Sequence, residues 1–204
     1  MKDLDKFITE SSNDNKKYIL LEDDTIKVNG HTLYRIKALK DFSVRDIADV
    51  KSGDIGGYIE SESNLSHKDD CWIFDDAKVY DDAKVYDHGV LENNVQVYDN
   101  AQVYESCHII DNAKIYGYAK VHGNVEIHGD AQVYDDADVE CYVVYGNAKV
   151  YGQAKVEGNA SVSENAKVYG NAKVYGNANI KGTAEVDFSV NGGVSKTNEK
   201  TKVI

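Results

Sequence analysis

Six tyrosines, Tyr80, Tyr98, Tyr116, Tyr134, Tyr151 and Tyr169, follow one another at intervals of 18 residues, with one interval of 17. Two residues before each stands a lysine or glutamine: Lys78, Gln96, Lys114, Gln132, Lys149 and Lys167. Phenols beside ammonium groups are suited to recognition, because tyrosine combines a large contact area with a polar tip. Other chemistry has thinner support. No Cys or His spacing suits zinc, and there is neither a serine-nucleophile motif nor a phosphate loop. The adjacent acids Asp75-Asp76, Asp81-Asp82 and Asp135-Asp136 are candidate calcium ligands, but neighbouring residues at a chain corner diverge, and a role at the corner accounts for them.

Such spacing requires an element that repeats with the same period. Every sixth residue from Ile73 to Val186 is aliphatic, with one five-residue step between Val139 and Val144. The residue four places further on is Ala in 14 of 18 intact repeats, and otherwise Gly89, Val95, Cys107 or Val125. Strand neighbours alternate between faces, so the aliphatic points inward, its neighbours point outward, and the small residue turns inward at the next corner. The second and third residues after each aliphatic are mostly Asp, Gly, Glu or Asn, which tolerate left-handed backbone conformations and mark the corners. One buried Val contributes roughly 1.5–3 kcal/mol, whereas ordering six residues costs about 6–12 kcal/mol. The repeats must therefore stack to be stable.

The unit Val-Tyr-Gly-Asn-Ala-Lys, whole at residues 168–173, resembles the hexapeptide-repeat family. The resemblance implies an all-β fold: a left-handed parallel β-helix of triangular section, here of about seven coils. The stretches Arg35 to Phe42, Val50 to Ser61 and Asn64 to Ser66, followed by Cys71-Trp72-Ile73, look like the N-terminal segment of a bacterial and phage subfamily of these proteins. The expected organisation is a polar tail over 1–17, an N-terminal β cap over 18–70, the helix over 71–186, and a C-terminal cap and loose tail over 187–204. Asn29-Gly30 signals a hairpin within the cap. Gly53, Gly56 and Gly57 are read as letting the backbone pass close to the open coil end.

Three strands per coil place residues 18 apart on one wall. The tyrosines then form one outward ladder, read either as mutual support between stacked strands or as a binding or oligomer surface. The second wall carries Tyr86, Tyr104, His122, Glu140, Glu157 and Tyr175 and reads as solvated. The third carries Trp72, Phe74, Val90, His108, Ile110, His128, Val143 and Tyr145. Its apolar members call for burial, either by another subunit or by the N-terminal cap.

The net charge of −12 disfavours generic nucleic-acid binding. It is compatible with polyanion (DNA) mimicry or with Asp serving as a soluble corner residue. No apolar run is long enough for a membrane span and the start lacks a signal-peptide core, so a cytoplasmic location is expected. Three cysteines cannot all pair. Cys71 and Cys107, two coils apart, are roughly 10 Å from each other and too far for a disulfide.

The family resemblance also implies trimers of side-by-side prisms and an acyltransferase that binds acetyl-CoA between subunits, with a His as general base. His108 and His128 are the candidates. The long loop that usually closes such sites has no counterpart within 73–186. The favoured expectation is a non-catalytic binding or scaffold protein that needs no cofactor or metal, with Tyr80, Tyr98, Tyr116, Tyr134, Tyr151, Tyr169, Lys114 and Lys149 as its ligand or partner face. Trp72, Phe74, His108, Ile110, His128 and Tyr145 are expected to form an oligomer interface or alternative site. The phage resemblance sharpens the expectation to an antagonist that sequesters a host protein or a nucleotide messenger, with aromatic faces offered to bases.

Overall fold

The computed structural model describes residues 16–192 and the backbone of Ser195 and Lys196. Most of the expected polar tail over 1–17, and of the expected loose tail at the C-terminus, lies outside these residues. The described chain is a parallel β-solenoid of about seven turns, with three sheets as its walls. On the first wall, two-residue strands stack in the order Lys78–Val79, Gln96–Val97, Lys114–Ile115, Gln132–Val133, Lys149–Val150, Lys167–Val168 and Glu185–Val186. Val97 aligns with Ile115, 18 residues on, and Val133 with Val150, 17 residues on. The register predicted from the period is the register observed.

The inward aliphatics and small residues are fully buried, from Ile73 and Ala77 to Ala184 and Val186. From Asp75 to Gly182 the second residue after each aliphatic has positive φ, except Cys141 in the five-residue step, as in Asp81 (56°), Asp99 (58°), Gly117 (70°) and Asp135 (58°). The corner carboxylates also bond along the axis. Gly117 N–H donates to Asp99 Oδ2 (3.0 Å), Gly129 N–H to Asp111 Oδ2 (2.9 Å) and Gly152 N–H to Asp135 Oδ2 (3.1 Å). Each such acid satisfies a backbone donor of the next coil, as do Asp75, Asp81, Asp87 and Glu105.

The five-residue step changes one corner. The thiol of Cys141 takes the interior place, 4% exposed, and Tyr142 is turned out to 64% exposure. Cys107 and Cys141 are free and buried, and burial pushes both thiols up to about 12.

The N-terminal cap is built on β1 (Tyr18–Val28) and β2 (His31–Ala38), an antiparallel hairpin turned at Asn29-Gly30, where both φ angles are positive. Hairpin β3 (Phe42–Val44) and β4 (Ala48–Val50) follows. Strand β5 (Ile55–Ile59) pairs antiparallel with β2 on one side and parallel with Lys78–Val79 on the other, so it joins the cap to the first wall. Gly56 permits this approach: a Cβ there would lie 2.7 Å from Ile73 O and from Ile36 Cγ1. Lys17, 1% exposed, closes the junction, its ammonium donating to the carbonyls of Cys71 (2.6 Å), Lys68 (3.4 Å) and Asp69 (3.4 Å).

A candidate binding face along the tyrosine wall

The six ladder tyrosines stand on successive rungs of the first wall because each follows a buried aliphatic in a strand. Their rings stack face to face, with centroid separations of 5.1, 5.0, 4.8, 4.9 and 5.3 Å from Tyr80 to Tyr169 and interplanar angles of 1–11°. Coil spacing sets the separation, since parallel strands lie roughly 4.8 Å apart. Inner rings have both faces covered by neighbours, and the ladder presents ring edges to solvent. Tyr98 through Tyr169 are half-buried, and burial pushes the phenols of Tyr98 and Tyr134 up to about 12. They are neutral hydroxyl donors at physiological pH.

The first rung differs. Tyr80 is only 1% exposed, packs with Leu33 and Tyr58, and accepts a hydrogen bond from Asn29 Nδ2 (3.4 Å). Hairpin β1–β2 covers it, so the accessible ladder begins at Tyr98. Beside the ladder, Lys114 and Lys149 are half-buried and form no ion pair among the described residues. Lys167 is engaged with Glu185 at 3.0 Å.

Around the corner towards the second wall runs a groove of about 620 Å³, lined among others by Tyr118, Lys120, Gln153, Lys155 and Lys173. Sequence reasoning passed over this feature. The signal was Tyr118, a large aromatic at a corner position otherwise given to Asp, Asn or Gln, and it is 64% exposed.

The third wall is where the cap folds back. Trp72, 1% exposed, is covered edge-on by Phe42 (5.3 Å) and Tyr18 (6.2 Å), and Val90 is fully buried. Of the two coverings considered for the apolar residues here, the chain's own cap supplies the one over Trp72, leaving that residue no surface for another subunit. Phe74 is half-buried against the core. Ile110 is half-buried, and Tyr145 is 37% exposed and stacks on His128 (5.1 Å). His108 and His128 lie on this wall in different columns: His108 aligns with Glu126, and His128 follows the next aliphatic. His108 Nε2 lies 3.0 Å from Glu92 Oε1, beside a polar recess of about 250 Å³ lined by Arg45, Ile47, Glu126 and Tyr142. Among the described residues, no helix is long and apolar enough to cross a membrane. The sequence matches no family model and no curated protein.

Proposed function

We propose that the chain is a non-catalytic binding or scaffold protein of the hexapeptide-repeat type, with the left-handed winding of that family, acting through the first wall. The observation that carries this reading is the unbroken phenol ladder, edges outward, beside Lys114 and Lys149, cations without an ionic partner among the described residues. A rigid row of amphipathic rings needs little ordering on association, which favours binding. The partner is a macromolecule, either further copies in a cytoplasmic trimer or a host protein sequestered by a phage-encoded antagonist. A nucleotide messenger is the less favoured ligand, because inner rings offer edges and not open faces for base stacking.

Glutamate at both Lys114 and Lys149, combined with Phe at Tyr116 and Tyr134, keeps the stack but removes charge and hydroxyls. Light scattering should then show a smaller assembly, or affinity capture a lost partner, with the melting temperature nearly unchanged. A wild-type chain that is monomeric and retains neither protein nor nucleotide would contradict the proposal.

One observation favours an acyltransferase instead: the His108–Glu92 pair at the mouth of a recess, a carboxylate-oriented imidazole suited to general base work. Calorimetry with acetyl-CoA decides between them. Saturable binding abolished by His108→Ala would support the enzyme. Polyanion mimicry is weakened because Asp99, Asp111 and Asp135 are engaged with backbone N–H groups.

A further inference from the structure

We propose that His31, Glu60 and Asp81 form a binding site for a divalent transition-metal cation of the zinc type. The three come from separate elements: the start of β2, the residue after β5, and the corner that follows Lys78–Val79. Nothing in their sequence spacing announces a ligand set; β5, paired with the hairpin on one edge and with the first wall on the other, brings them together.

One ligand atom from each lies within 4.8 Å of the other two, and this is the one such group of three among the described residues. A tetrahedral zinc with bonds of roughly 2.0–2.1 Å has ligand-to-ligand edges of roughly 3.4 Å, so the set closes when the carboxylate at the other ring nitrogen swings to the one that takes the ion. His31 Nδ1 already lies 3.0 Å from Glu60 Oε1, and Nε2 lies 3.2 Å from Asp81 Oδ1. The two carboxylates thus flank one imidazole, each at a different ring nitrogen, and a cation held by one of those nitrogens and both acids offsets charge that the ring alone can only half neutralise. One nitrogen and two carboxylate oxygens suit zinc. Calcium takes six or more oxygens, and magnesium prefers an octahedral oxygen shell.

The supporting shell is in place. Asp81 N–H donates to Glu60 Oε2 (2.8 Å), and Asp99 N–H to Asp81 Oδ2 (3.2 Å), which fixes both carboxylates. The ligand side chains are 29–33% exposed, so an ion reaches them from solvent and leaves room for a water as fourth ligand. A bound metal would fasten the hairpin over Tyr80.

Zinc chloride titrated calorimetrically into the full chain should bind one ion per chain and raise the melting temperature by roughly 5–10 °C at about 100 times Kd. Magnesium and calcium should do neither. Glu60→Gln and Asp81→Asn keep the backbone contacts, and each, like His31→Gln, should abolish the binding, whereas His122→Ala should retain it. Cobalt in the wild-type chain should give tetrahedral d–d absorption without a sulfur charge-transfer band, a readout independent of how the variants fold. The site is disproved by zinc binding that is absent or unchanged in the three variants, or by a thiolate band, and the cluster is then an imidazolium salt bridge only.

Discussion

At the corners, single residues carry two tasks, adopting positive φ and bonding to the coil above. Gly117 shows the limit of substitution: φ is +70°, and a Cβ would stand 2.8 Å from Asp135 N. Gly117→Ala should therefore cost roughly 1–3 kcal/mol, read as a lower denaturant midpoint at unchanged slope. The ladder phenols make a different demand. Burial raises Tyr98 and Tyr134 from 10.0 to about 12, which means the folded state favours the protonated form. Their contribution to stability is complete below pH 10 and is lost as pH rises through about 12. Melting temperatures should fall across that window, and less steeply once both are replaced by Phe. Ultraviolet titration should show the corresponding late phenolate signal.

Between elements, the decisive contacts join cap to coil. The Lys17 ammonium fills a nest of carbonyls at 68, 69 and 71, and Lys17→Met would leave buried acceptors unpaired, costing about 3 kcal/mol. Trp72, the chain's single tryptophan, packs against Phe42 and Tyr18 in the same junction. Its emission should shift to the red in that variant while the far-ultraviolet spectrum stays that of the wild type; an unchanged emission would mean the junction does not depend on Lys17. In the sequence, a cap over Trp72 was one of two coverings open and a close approach at Gly56 and Gly57 was legible, but the partners were not. A lysine at position 17, in a stretch without period, gives no sign of burial, and Val50 to Ser61, which contains β5, reads only as a stretch of the cap with no strand assigned. The parallel pairing of β5 with Lys78–Val79 depends on glycines whose role becomes clear when Ile36 and Ile73 are seen against them. Period, register and corners were legible because each repeat states the same requirement again: Val inward, Ala at the bend, Asp or Gly where φ is positive. The five-residue step was visible as a gap, but the choice of Cys141 for the interior and Tyr142 for solvent was not, since either side chain follows the same aliphatic. For the candidate face, alternation gave the column of tyrosines, whereas the burial of Tyr80, and the choice of the cap as the cover of Trp72, required the fold of the cap.

Across the whole molecule, stability follows nearest-neighbour logic, because each rung touches only the rungs before and after it. Val133 sits mid-stack between Ile115 and Val150. Val133→Ala should cost about 2–3 kcal/mol, and hydrogen exchange should accelerate on both flanking coils while distant coils keep their protection. Uniform acceleration along the chain would show instead a single cooperative unit. Hairpin β1–β2 has one more effect at this scale. A stack of parallel rungs is an open template, and an uncovered terminal rung can recruit another chain end to end. Here the first wall is finished by antiparallel strands, and the rung at Trp72 lies beneath Phe42. No bare parallel rung is left at that pole, and among the described residues the edge that remains there for a further strand is the outer side of β1.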